Sequence, residues 1–139
     1  MSAVPPGFVP VGATRPFNEL VGPFYVKRDA TTFATGMVVE PKHWNRNSHG
    51  IVHGGMICTL IDLALGYAAR YATDPPRSHV TTSLSVDFAA NARPGDWIEA
   101  RTDVMRSGTR VAFINCFVYL GELRIARGSG VFQVLRSNG

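Results

Sequence analysis

The sequence has few of the features that mark secreted or membrane-spanning proteins. It contains two cysteines in 139 residues, Cys58 and Cys116, and no signal-peptide pattern opens it, so we expect reduced thiols in a cytoplasmic protein rather than a disulfide framework. It also has no apolar run long enough for a membrane span, because the longest weakly polar stretch, Gly50 to Ala69, contains His53 and Asp62. We therefore expect no membrane partner.

Charged residues are sparse as well, at 17% of the chain. The net charge is +4, but the arginines are scattered from Arg15 to Arg136 and never form a run, so we expect no nucleic-acid partner. A small phosphorylated ligand suits this basic excess better. The 45% hydrophobic content is enough for one globular core, so residues 1–139 are expected to form a single domain, with the proline-rich residues 1–16 as a loose arm.

Apolar residues that recur every three or four positions predict one long helix over Gly50 to Tyr71. The polar and proline residues of the segment 74–76 end it. The apolar stripe consists of Ile57, Leu60, Ile61, Ala64, Leu65 and Ala68.

Strand signals surround this helix. Alternating patterns separated by turn residues predict strands over Val80–Ala89, Trp97–Arg106, Val111–Leu120 and Leu123–Leu135, after a weaker strand signal over Tyr25–Val39. The order predicts an α+β protein in which an antiparallel meander buries the helix against one sheet face. The remaining face and the edge strands are expected to bind a second copy of the chain.

The segment from Asn47 to Asp62 contains the residues best suited to chemistry. His53, Gly54 and Gly55 precede the apolar stripe, and the free N–H groups at a helix start stabilise negative charge such as a thioester oxyanion. A tight helix entry with no further role is the alternative. Asp62 lies beside the stripe among small residues, where a carboxylate is costly unless it is paired or used. We favour a functional role over a merely solvated aspartate.

Spacing along the helix limits how these groups can cooperate. Asp62 follows Gly54 by eight residues, about 12 Å along a helix axis. One carbonyl cannot contact both groups, because attack needs contacts of about 3 to 3.5 Å. If both act on the same carbonyl, they come from two helices and therefore from a two-fold dimer.

The same residues resemble a known family. The pattern N-x-x-G-x-x-H-G-G over residues 47–55, with Asp62 seven residues beyond Gly55, is similar to that of the hotdog-fold acyl-CoA thioesterases of the PaaI-like group. LSVDF at residues 84–88, ARPGD at residues 92–96 and the hairpin over residues 110–135 extend the resemblance across residues 22–135.

The resemblance implies a hotdog fold, in which an antiparallel curved sheet wraps around one long central helix. It implies hydrolysis of an acyl-CoA to a carboxylate and free coenzyme A by a homodimer, with a dimer of dimers left open. No cofactor is implied, because coenzyme A is part of the substrate and the product.

The resemblance also implies roles for single residues. Asp62 would act as general base or as nucleophile, and the Gly54 amide of the partner subunit would polarise the carbonyl. Asn47 would hold the thioester or the attacking water, and His53 would position the loop. A hydroxyl at the start of the strand after the helix would orient the water, with Thr81 as the nearest match.

Thr82 and Ser83 compete with Thr81 for that role. The positions suited to contact the substrate or coenzyme A are Gly55, Thr82, Ser83, Arg93, Arg106 and Arg110, and Arg77 is comparable to these arginines. Phe24, Met56 and Tyr67 are the candidate liners of the acyl pocket, which could take aryl, short-chain or medium-chain groups.

Other chemistries have weaker support. No Gly-x-Ser-x-Gly motif marks a serine nucleophile, and His43, His49 and His53 lack the spacing and neighbours of a zinc site. A non-catalytic protein that binds or senses acyl-CoA on the same fold is the main alternative. A hydratase relative is disfavoured, because the nine residues between His53 and Asp62 separate the two groups.

Overall fold

The computed structural model describes residues 4–12, 15–29, 32–45 and 50–135. In chain order their elements are β1 (Val9–Pro10), α1 (Pro16–Val21), β2 (Tyr25–Arg28), β3 (Phe33–Val38), a 3₁₀ turn (Pro41–His43), α2 (Gly54–Tyr71), β4 (His79–Phe88), β5 (Trp97–Ser107), β6 (Val111–Leu120) and β7 (Leu123–Val134). The strands form one antiparallel sheet against which α2 packs, as the alternating and helical patterns predict.

The order of strands in the sheet differs from a simple meander. It is β1-β2-β3-β5-β6-β7-β4. Because β3 occupies the edge of β5 that a meander would give to β4, with Met37 opposite Ile98, β4 pairs instead with β7, with Leu84 opposite Gly130. The strand that follows α2 therefore lies at an edge of the sheet.

The helix packs against the sheet through the predicted apolar stripe. Each of its six residues is at most 3% exposed. Gly128 on β7 permits the close approach, because a Cβ there would lie 2.5 Å from Cγ2 of Ile61. The packing fixes the rotation of α2 about its axis, and with it the direction of Asp62.

Helix α2 begins at Gly54, and the prediction of a start at Gly50 is wrong. Gly50 has φ +82°, which a right-handed helix does not allow. Val52 then forms a bridge with Trp44 and donates its N–H to the carbonyl of Ala92 at 2.8 Å. These bonds hold residues 50–52 outside the helix.

The described part of the N-terminal segment contacts the sheet. Val9 and Pro10 form β1 and pair with β2, and the Phe8 ring packs edge-on against Trp97 with centroids 4.9 Å apart. The expectation of a loose arm over residues 1–16 therefore fails at residues 8–10, because an aromatic contact and a strand pair fix them. Residues 17–20 belong to α1.

Candidate active site

Asp62 is held by a hydrogen bond across the interface between helix and sheet. The hydroxyl of Thr81, at the start of β4, donates to Oδ1 of Asp62 at 2.7 Å. Asp62 is half-buried, so the carboxylate remains accessible from one side. Since a carboxylate oxygen only accepts hydrogen bonds when ionised, Oδ2 is left to accept a proton from an approaching water.

The geometry selects Thr81 over its two neighbours. The register shifts at this point, so that Thr81 lies opposite Phe132 and Ser83 lies opposite Val131. The hydroxyl of Thr82, the extra residue, donates to the carbonyl of Val131 at 3.0 Å. Ser83 points to the sheet face opposite Thr81, because adjacent positions of β7 face opposite sides.

The first turn of α2 leaves one amide open. Nδ1 of His53 accepts the N–H of Gly55 at 2.8 Å, and the carbonyl of His53 accepts from Met56 at 2.9 Å and from Ile57 at 3.3 Å. Within the described ranges no acceptor contacts the N–H of Gly54. The N–H of Gly54 is therefore available to donate a hydrogen bond to an oxyanion.

His53 acts as the N-cap of α2 through its ring nitrogen, a geometry that fits positioning of the loop. Gly55 is exposed at the same turn, with its N–H already bonded to His53. Asn47, the remaining member of the motif, lies outside the described residues. Gly54 and Asp62 are separated by two helical turns, so one protomer does not bring them together.

Two cavities flank these groups. The first, of about 470 Å³, lies beside Asp62, and its lining includes Tyr67, Arg70, Arg77 and Thr81. The second, of about 600 Å³, lies at the start of α2 and is lined by Phe17, Leu20, Trp44, His53 and Met56, among others. The candidate liners Tyr67 and Met56 thus belong to different cavities.

Phe24 is a core residue. It is 4% exposed, so the prediction that it lines the acyl pocket is wrong. Sequence reasoning also missed Arg70, although its position eight residues after Asp62 places it on a neighbouring part of the helix surface. It missed Phe17 and Trp44, which no periodic pattern connects with the helix start.

The candidate coenzyme A arginines lie at two ends of the molecule. Arg93 follows Ala92, which accepts a hydrogen bond from the segment leading into α2. Arg106 and Arg110 are exposed on either side of the β5–β6 turn. Arg77 lies beside that turn, and its Nη2 donates to the carbonyl of Gly108 at 2.9 Å. A single protomer therefore does not gather these side chains around one ligand.

Other reactive groups are unsuited to catalysis here. Burial raises the pKa of Cys116 to about 12 and also raises the pKa of Cys58, so neither is a ready thiolate. His43 is buried, with Nε2 donating to the carbonyl of Val21 and Nδ1 accepting from the N–H of Glu40. The described residues contain no group of three or more side chains that could hold a metal ion, and no helix among them is long and apolar enough to cross a membrane.

Comparison with known proteins identifies the family. A family model described as "Thioesterase superfamily" matches residues 49–126. The chain is 39% identical over 135 residues to "Putative esterase PA0474" of Pseudomonas aeruginosa, an alignment that covers 96% of this chain and 99% of the relative.

Solved structures share the fold. A variant of phenylacetic acid degradation protein PaaI from Thermus thermophilus superposes with a TM-score of 0.75 at 24% identity, over 87% of this chain and 100% of that one. The protein smu.793 of Streptococcus mutans, bound to acetyl CoA, gives a TM-score of 0.74 at 19% identity, over 83% and 90% of the two chains. The hotdog fold and the resemblance to PaaI-like thioesterases are confirmed, and they support a hydrolase of esters or thioesters. The chain belongs to the thioesterase superfamily.

Proposed function

We propose that the protein is an acyl-CoA thioesterase in which Asp62 activates the attack on the thioester carbonyl. The observation that carries the proposal is the carboxylate of Asp62, fixed by Thr81 at 2.7 Å and open to a cavity of about 470 Å³. The binding of acetyl CoA by the Streptococcus mutans protein of similar fold supports coenzyme A as the carrier.

A thioester needs little more than these groups. Water attacks the carbonyl carbon while Asp62 takes its proton, and the C–S bond then breaks as that proton passes to the departing sulfur. The products are the free thiol of coenzyme A and a carboxylic acid, which ionises to the carboxylate and releases the second proton of the water to solvent. Attack by Asp62 itself, through an anhydride, gives the same products. A single turnover in isotopically labelled water separates the two routes, because only the anhydride route can label Asp62.

The oxyanion donor comes from a second copy of the chain. One edge of β4 pairs with β7, and no strand of the described residues pairs with the other edge. Along that strand Val80, Leu84 and Phe88 are 46%, 36% and 55% exposed. An unpaired edge with exposed apolar side chains is a typical site for strand pairing between copies.

Two contacts at opposite ends of β4 indicate what such a pair would assemble. Near the start of β4, Thr81 bonds Asp62. At its end, the Phe88 ring lies 3.4 Å from the position of a Cβ on Gly54. In an antiparallel pair of identical strands, the start of one lies opposite the end of the other. Pairing β4 with its copy would therefore bring Asp62 beside Gly54 of the partner subunit.

The deciding experiment measures release of free thiol from aryl, short-chain and medium-chain acyl-CoAs. We expect hydrolysis by the wild type, and a loss of about 100-fold or more in kcat for Asp62→Asn with an unchanged melting temperature and oligomeric state. Asp87→Asn is the matched control, because Asp87 pairs with Arg127 at the exposed end of β4. Binding of acyl-CoA without turnover by the wild type would favour the non-catalytic sensor.

A further inference from the structure

The cavity beside Asp62 has an excess of positive charge. Arg15, Arg70 and Arg77 line it, and Asp62 is the one acidic residue in the described lining. Nη1 of Arg70 donates to Oγ of Ser78 at 3.3 Å. Nη2 of Arg77 donates to Oγ of Ser107 and to the carbonyl of Gly108, both at 2.9 Å.

All of these partners are neutral. Among the described residues no carboxylate lies within 4.0 Å of either guanidinium, and the buried Nε of Arg77 has no acceptor. Arginine forms its strongest contacts with carboxylates and phosphates, through two parallel N–H donors. The two side chains are therefore held in place and can still bind a carboxylate or a phosphate, the groups that a guanidinium prefers.

Part of the cavity lining is uncharged. Gly66, Tyr67 and Phe132 belong to it, and Gly66 and Tyr67 lie between Asp62 and Arg70 along α2. Gly66 opens the helix surface to a ligand, since only the Phe132 ring lies within 4 Å of the place that its Cβ would take, at 3.8 Å. A ligand that extends from Asp62 toward Arg70 would thus have an apolar middle and an anionic end.

We propose that this cavity is the acyl pocket and that it selects acyl groups with a carboxylate at the far end, that is, coenzyme A monothioesters of dicarboxylic acids. The inference rests on the proposed thioesterase function. Arg70 follows Asp62 by eight residues, about 12 Å along the helix. This spacing describes the backbone, and the side chains of both residues line the same cavity, so a short dicarboxylic acyl chain is required, as in glutaryl-CoA or adipyl-CoA.

The phosphates of coenzyme A are a second source of negative charge. They follow the sulfur by more than a dozen bonds of about 1.5 Å each, so an extended carrier takes them beyond the two helical turns between the backbone positions of Asp62 and Arg70. The distance therefore favours the end of the acyl chain.

The test compares two thioesters that differ in the distal group, adipyl-CoA and hexanoyl-CoA. We expect the wild type to prefer adipyl-CoA in kcat/KM, and Arg70→Gln to lower kcat/KM for adipyl-CoA by about 10- to 100-fold while changing hexanoyl-CoA by less than about twofold. Arg70→Lys should restore part of the loss. Arg124→Gln is the matched control, because Arg124 stacks on the Phe117 ring at 4.0 Å, away from the cavity.

Two kinetic results would overturn the proposal. One is a wild-type preference for hexanoyl-CoA. The other is an equal loss for both substrates in Arg70→Gln. If that equal loss disappears with the corresponding thioesters of pantetheine, which lack the phosphates, Arg70 recognises the carrier and the proposal is wrong.

Binding tests the proposal even if the wild type hydrolyses neither thioester, an outcome that counts against the proposed function. The probes are two stable thioethers, S-carboxypentyl-CoA and S-hexyl-CoA, measured by isothermal titration. Tighter binding of the carboxylated probe by about tenfold or more, lost in Arg70→Gln, supports the inference. Equal dissociation constants overturn it.

Discussion

The hydroxyl of Thr81 donates to Oδ1 of Asp62 at 2.7 Å, which joins the middle of α2 to the start of the edge strand β4. The bond connects residues 19 positions apart and fixes the carboxylate in one orientation. It also links the proposed base to the strand whose free edge would pair with a second copy in the proposed dimer. The position of Asp62 therefore depends on the same strand that would form the dimer.

Removal of this hydroxyl should slow the reaction without unfolding the protein. Thr81→Val keeps the shape and the strand propensity of the side chain, since Thr81 is exposed and β-branched. We expect kcat to fall about tenfold, the value of a hydrogen bond to a charged group, with KM nearly unchanged in steady-state thiol release. Thr82→Val examines the competing assignment, and a larger loss in that variant would show that the bond to Asp62 is not the relevant one.

Replacement of Gly54 by proline deletes one amide hydrogen and adds a Cβ in van der Waals contact with the Phe88 ring, at 3.4 Å. Gly54 is the first residue of α2, and His53 before it has an extended backbone with ψ of 134°, so proline fits this position. Gly54→Pro should lower kcat by about 100- to 1000-fold, the usual cost of one oxyanion donor, while circular dichroism shows an intact helix. Gly54→Ala retains the N–H and is the control. Similar activity of the two variants would exclude the amide as the donor.

The apolar periodicity of the sequence predicts the helix, its buried face and the position of Asp62. This works because packing against a sheet requires a stripe, and a stripe is visible in one chain. The start of the helix could not be predicted in this way. The positive φ of Gly50 and the bridge from Val52 to Trp44 exclude residues 50–52 from the helix, although the apolar pattern includes them. Such local bonds leave no periodic signal.

The place of β4 in the sheet could not be predicted from alternation. Alternation defines a strand but not its neighbour, and β3 competes with β4 for the edge of β5. Alternation also could not predict that Thr81, and not Thr82, bonds Asp62, because this depends on the register shift between Thr81 and Ser83. Partner strands far along the chain decide both features.

Acid should weaken the fold through His79. Burial lowers the pKa of His79, and the charges of Arg77 and Arg70 lower it further against the opposing effect of the hydrogen bond to the Arg77 carbonyl. The folded state therefore binds a proton less readily than the unfolded chain, whose histidine has a pKa of about 6.5. Stability should be constant above that pH and should fall below it.

His79→Gln tests this effect, because glutamine retains a hydrogen-bond donor and does not titrate. We expect thermal unfolding of the variant to depend less on pH between about 7 and 5 than that of the wild type. Identical slopes for the two proteins would assign the acid sensitivity to other groups.

A shared active site can be tested by combining two inactive chains. Asp62→Asn lacks the proposed base and Gly54→Pro lacks the proposed donor, so each homodimer should be inactive. In a mixed dimer, one of the two sites receives Asp62 from one chain and Gly54 from the other. Co-expression with random pairing yields half mixed dimers, so we expect about one quarter of wild-type activity. Mixed dimers isolated through two different affinity tags should have about half. If both groups acted within one protomer, the isolated mixed dimers would remain inactive, and the pairing of two copies through β4 would lose its role in catalysis.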